Sequence, residues 1–192
     1  FLVQSLGKSG RTLWLFANGL DASEVLKDQD IAPLQTIGHG MTYPAPLEQE
    51  SQVAQQLFCL AQDIGRRLRK HKLCACGVQL AVKDEEFHIM QCQSRLHQPT
   101  QHARTLFDAG MTLFQSRYLW REPIRALTLR AIELTDETEP VQQSLFDACS
   151  TKSLRVLDAT IDGICRRFGP DSLKPASLLD DKRYSDEKRR RN

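Results

Sequence analysis

Asp84, Glu85 and Glu86 stand side by side in the chain. Carboxylates can hold a catalytic metal pair, but only if they converge on it. Consecutive residues in a turn diverge, so this cluster reads as a solvated hairpin turn. Cysteines at 59, 74, 76, 92, 149 and 165 lack the paired C-x2-C spacing of a zinc site. They read as buried free thiols of a cytosolic protein. His39, His71, His88, His97 and His102 form no array with a nucleophile, and no glycine-rich phosphate loop occurs. These observations speak against a small-molecule enzyme, and no catalytic residue or metal ligand is assigned.

A second set of residues suits binding. Thr36, Thr42, Gln79, Lys83, Gln91, Gln93, Arg95, Thr128 and Arg130 fall at alternate positions of segments that read as strands. Alternation places them on one sheet face, which then carries hydroxyls, amides and cations with almost no acids. All of these groups donate to phosphate oxygens, and Gly38 and Gly40 would allow close approach to main-chain N–H groups. The competing reading is an ordinary solvated face, because a one-residue slip exchanges the two sides of a strand. Separately, "VQQSLFDACS" at 141–150 runs from polar residues into the adjacent pair Leu145 and Phe146. Either that pair plugs a pocket on another molecule, or it tucks back onto its own domain. Ten residues leave both open.

The elements that position these residues follow from periodicity. Residues 1–25 read as helical and 26–33 as a polar linker ending in Pro33. Residues 34–43 alternate as a strand, with Ile37, His39, Met41 and Tyr43 opposite Thr36, Gly38, Gly40 and Thr42. From Leu47 to Lys70, apolar residues at Val53, Leu57, Leu60, Ile64 and Leu68 predict a long amphipathic helix with cations in its last turns. "LCACGVQLAVKD" predicts a strand with Cys74, Cys76, Val78, Leu80 and Val82 on one side. A hairpin returns it as 87–96, Thr100 caps a second helix running through Trp120, and 124–134 forms the last strand. The order β-α-β-β-α-β predicts an α+β domain: a four-stranded sheet with two helices on one face, plus flanking helical segments. The chain is 41% hydrophobic and 26% charged with net charge +2, the profile of a soluble globular protein. No apolar run approaches the ~20 residues needed to span a bilayer, so no membrane partner is expected. The chain opens without Met and reads as a piece of something longer.

Several of these stretches resemble the C-terminal part of bacterial Y-family translesion DNA polymerases, the UV-damage-repair (ImpB/MucB/SamB-like) branch. "QTIGHGMTY" (35–43), "RRLRKH" (66–71), "GVQLAVKD" (77–84), "QSRLHQPT" (93–100) and "PIRALTLRAIEL" (123–134) are similar to segments of the little-finger domain. "LGKSGRTLWLFANGLDASEV" (6–25) is similar to the end of the thumb, and 153–179 to the bacterial C-terminal segment. The resemblance implies thumb end at 1–25, linker at 26–33, little finger at 34–138, clamp-binding segment at 139–150, helical extension at 151–180 and a disordered tail at 181–192.

It further implies contacts to double-stranded template-primer DNA from Thr36, Gly38, His39, Thr42, Gln79, Lys83, Gln91, Gln93, Arg95, Arg125, Thr128 and Arg130. "QQSLF" resembles the motif by which bacterial polymerases hold the sliding clamp, so Gln142, Ser144, Leu145 and Phe146 become clamp contacts. Gln143 stands where that motif more often has Leu. Gln35-Thr36 replaces a Lys-Ser pair, and Ala126 replaces an arginine, which implies a weaker electrostatic grip. The implied setting is cytoplasmic DNA repair within the SOS response. The implied cofactors, two Mg ions, belong to a palm domain outside these residues; none is expected in this fragment, which should not polymerise alone. The alternative is a stand-alone ferredoxin-like module that binds nucleic acid or protein. RNA-binding sheets of that kind expose aromatics for stacking, whereas this face offers no Phe, Tyr or Trp.

Overall fold

The computed structural model describes residues 1–21, 33–120, 122–140, 150–169 and 172–173. The chain divides into two units, Phe1–Pro33 and Leu34–Asn192. The first holds helix α1 (Leu2–Ala17), broken at Gly7, where φ is 57° and ψ is −131°. Glycine takes that conformation without a Cβ penalty. The second runs β1 (Ile37–Leu47), α2 (Glu50–His71), β2 (Leu73–Asp84), β3 (Ile89–Thr100), α3 (Ala103–Arg117), β4 (Ile124–Asp136) and α4 (Ser150–Phe168). This is the expected α+β fold, with a four-stranded antiparallel sheet in the order β1-β4-β2-β3.

The apolar stripe of α2, Val53, Leu57, Leu60, Ile64 and Leu68, is fully buried against the sheet. From α3, Leu106, Leu113 and Phe114 complete the helical side. The sheet answers with Val78, Leu80 and Val82 of β2 and Leu127, Leu129 and Ala131 of β4. Burial of this kind contributes roughly 1.5–3 kcal/mol per large apolar side chain. Gly110 brings α3 close to the sheet: a Cβ there would lie 3.1 Å from Leu129 Cδ1.

Three local features differ from the sequence reading. Edge strand β1 extends through Pro44 and Pro46 to Leu47, as an edge allows where the missing N–H faces outward. Helix α3 stops at Arg117, and Tyr118 and Trp120 instead pack on Phe114 as an aromatic group with centroid distances of 5.1–5.6 Å. In β2 the alternation changes phase. Ala75 belongs to the core, whereas Cys74 is buried outside the main core cluster and Cys76 is half-buried beside Glu133 and Arg95. The β2–β3 register shifts between Ala75 and Gly77, and on β4 Glu133, between the partners of those two residues, takes a left-handed φ of 52°.

Helix α4 is held by charge. Arg69 of α2 grips Asp162 with Nε and Nη2 at 2.6 and 3.0 Å, and its Nη1 lies 3.4 Å from Asp158. Asp158, only 8% exposed, also meets His102 Nδ1 at 2.7 Å. Val156, Leu157, Ile161 and Phe168 of the same helix are exposed. Removing Arg69 leaves two carboxylates without their shared cation, which costs about 3 kcal/mol where ions are this enclosed. Arg69→Ala should therefore raise hydrogen exchange across 154–168 while leaving β2 and β4 protected. Equal protection in α4 would show that the ion cluster does not hold it.

Candidate nucleic-acid interface

The sheet face away from α2 and α3 is organised in cross-strand rows. Gly38, Arg130, Gln79 and Gln93 stand abreast; next come Gly40, Thr128, Ala81 and Gln91, then Thr42, Ala126, Lys83 and Ile89. Arg95 extends the face at the far end, opposite Gly77. The span from the Arg95 row to the Lys83 row is about 20 Å at the ordinary rise per strand residue, equal to the rise of about six base pairs. The structure thus brings Gly38, Thr42, Gln79, Lys83, Gln91, Gln93, Arg95, Thr128 and Arg130 onto one surface. Thr36 lies exposed just ahead of β1.

Within the face, side chains support one another. Arg130 Nη1 donates to Gln79 Oε1 at 3.3 Å, and Gln79 Nε2 donates to Gln93 Oε1 at 3.2 Å. This relay leaves donors on Arg130 and Gln93 for a ligand. The glycines serve the neighbouring strand rather than bare main chain. A Cβ on Gly38 would lie 2.5 Å from Arg130 Cγ, and one on Gly40 would lie 2.4 Å from Thr128 Oγ1. The stem of Arg130 and the hydroxyl of Thr128 therefore occupy the space that a phosphate would need to reach those main-chain groups.

His39 does not join the face. It is turned toward α2, with Nδ1 3.0 Å from Asp63 Oδ2. The contact with His39, helped by Arg66 at 2.6 Å and opposed by burial, lowers the Asp63 carboxyl to about 2. The acid that the sequence reading left out is Glu133, whose carboxylate lies 3.3 Å from Arg95 Nε. Arg95 is thus partly neutralised, while the three central rows carry no acid.

Arg125 sits just beyond the regular ladder, where the register shifts between Lys83 and Asp84. Its guanidinium lies 5.4 Å from the ring centroid of Phe87, and Lys83 Nζ lies 4.4 Å from the same ring. Phe87, 59% exposed, therefore ends the face with an aromatic that the strand pattern missed. The one available signal was its type: turn positions are mostly polar or glycine, and a Phe there is unusual. In the same turn Asp84 Oδ1 accepts from the His88 amide at 2.8 Å, so this acid closes the hairpin. Among the described residues no three His, Cys, Asp or Glu side chains converge as a metal site. Gln142, Ser144, Leu145 and Phe146 lie outside the described residues.

A separate concavity of about 1230 Å³ lies between the end of α2, β3, the start of α3 and α4. Arg69, Asp158 and Asp162 line it and are already committed to holding α4. Among the described residues no helix is long and apolar enough to cross a membrane.

Residues 34–145 match the model of the impB/mucB/samB family C-terminal domain. The chain is 34% identical to a DNA polymerase IV of Acetivibrio thermocellus over 183 residues, covering 95% of this chain and 46% of that protein. It is 29% identical to a DNA polymerase IV of Alkaliphilus oremlandii, covering 92% and 46%. A DNA polymerase IV 2 of Bacillus subtilis is 28% identical, covering 93% and 43%. The chain spans less than half the length of these relatives.

Proposed function

Because the chain belongs to the impB/mucB/samB family, of which it carries the C-terminal domain, we propose that its helix-free sheet face grips template-primer duplex through phosphate contacts. The observation that carries this reading is the run of three acid-free rows from Gln93 to Thr42, with Arg130 and Lys83 among them. Amides, hydroxyls and cations position a phosphate backbone without reading bases, so the grip is independent of sequence. That property suits a polymerase that must hold any template, damaged or not. The same reading assigns "QQSLF" to the sliding clamp: Leu145 and Phe146 fill an apolar pocket and Gln142 supplies directional hydrogen bonds. The two-metal chemistry of nucleotide addition is assigned to a palm region outside these residues, in a protein acting in the cytoplasm.

Salt titration tests the grip. Lys83, Arg125 and Arg130 are the cations in play, with Arg95 discounted for its Glu133 partner. Three released counterions give a slope of about −3 in log K against log salt. Fluorescence anisotropy with labelled duplexes of two unrelated sequences should give that slope for both. A slope near zero, or a strong preference between the sequences, would contradict phosphate gripping.

A further inference from the structure

We propose that the end of the β2–β3 hairpin is a binding site for an unpaired nucleotide beside the duplex, with Phe87 taking the base and Lys83 and Arg125 the phosphate. The proposal rests on the duplex reading above and adds to it the single-stranded side of a primer-template junction. The rows of the face hold only amides, hydroxyls, cations and small residues until Ile89, and such a surface suits paired DNA whose base faces are hidden. At the hairpin end the chemistry changes. Ile89, which closes the Lys83 row, is 66% exposed, and Phe87, just beyond that row, is 59% exposed. An accessible aromatic flanked by cations is the combination that holds single strands, since every base has a π-face and every nucleotide a phosphate.

Two further details support a ligand rather than a structural plug. Phe87 has φ 69°, a left-handed conformation that costs a bulky residue energy and that glycine adopts freely. Burial does not compensate for this, because most of the residue faces solvent. The two cations come from different strands, Lys83 from β2 and Arg125 from β4, yet both approach this one ring, at 4.4 and 5.4 Å. The negative ring face attracts both, though weakly at a site this exposed, so neither cation depends on the ring for its place. A base that stacks on the ring displaces a cation toward the phosphate of the same nucleotide. The charge is thus retained in the complex.

The test compares a blunt duplex with a primer-template of the same paired sequence, carrying 2-aminopurine as the first unpaired template base. The 192-residue chain should bind the primer-template about fivefold more tightly, the low end of what stacking one base provides, and should quench the 2-aminopurine. Phe87→Gly relieves the backbone, so its melting temperature should not fall. It should remove both the preference and the quenching while leaving blunt-duplex affinity within about twofold. Retained duplex binding with neither preference nor quenching in the unaltered chain would overturn this inference alone. Equal weakening on both substrates by Phe87→Gly would also overturn it, reducing the ring to a prop for the cations. Loss of all DNA binding in the unaltered chain would remove the duplex reading and this site together.

Discussion

Replacing Lys83, Arg95 and Arg130 together with glutamate should abolish the mobility shift of duplex DNA at low salt. Each substitution removes a donor and places an acid on a face whose central rows hold none. The loss therefore combines missing counterion release with repulsion and should exceed about 100-fold in affinity. The three positions should not contribute equally. Arg130 lies across Gly38 and is steadied through Gln79, whereas Arg95 is already matched by Glu133. Arg130→Glu alone should weaken binding more than Arg95→Glu alone. All three side chains are off the core, so melting temperature should stay close to that of the unaltered chain. Unchanged binding by the triple variant would show that DNA contacts another surface.

The second large effect concerns the clamp. Replacing Leu145 and Phe146 with alanine should reduce binding to immobilised sliding clamp by at least about 100-fold, as loss of central apolar anchors does. Thermal stability should be unaffected if the pair faces a partner. If the pair instead belongs to the chain's own core, melting temperature drops by several degrees and clamp affinity, if any, is untouched. Gln143→Leu should tighten the complex, since it supplies the apolar residue more usual at that place in the motif. Surface plasmon resonance on the same immobilised clamp reads both changes.

How far the sequence carries can be seen strand by strand. Where alternation is uninterrupted, at Val78–Val82 and Leu127–Ala131, the buried and open faces were legible, because a period of two leaves no other arrangement. At Cys74–Cys76 the pattern misled, since the register shift between Ala75 and Gly77 belongs to the pairing with β3, and alternation within β2 cannot register it. The order and type of elements were legible from α2 and from the turn at Asp84–Glu86. The same was not true of contacts between distant residues. Arg69 and Asp162 are far apart in sequence, and nothing local marks them as partners. His39 alternates correctly onto the helix side, and only the position of Asp63 on α2 shows what it meets there. Phe87 became a candidate once Lys83 and Arg125 were seen to share its ring, a contact among three elements that no single periodicity encodes.

The central claim is that duplex DNA lies on the sheet face opposite α2 and α3. Titrating a sequence-neutral duplex into the ¹⁵N-labelled chain and following its amide resonances tests this most directly. The account predicts that the side-chain amides of Gln79, Gln91 and Gln93 and the backbone of Gly38, Gly40 and Thr128 shift together, while the outer surfaces of α2 and α3 stay still. Shifts confined to Arg66, Lys70 and Arg104 on those helices, with the glutamine amides unmoved, would contradict it.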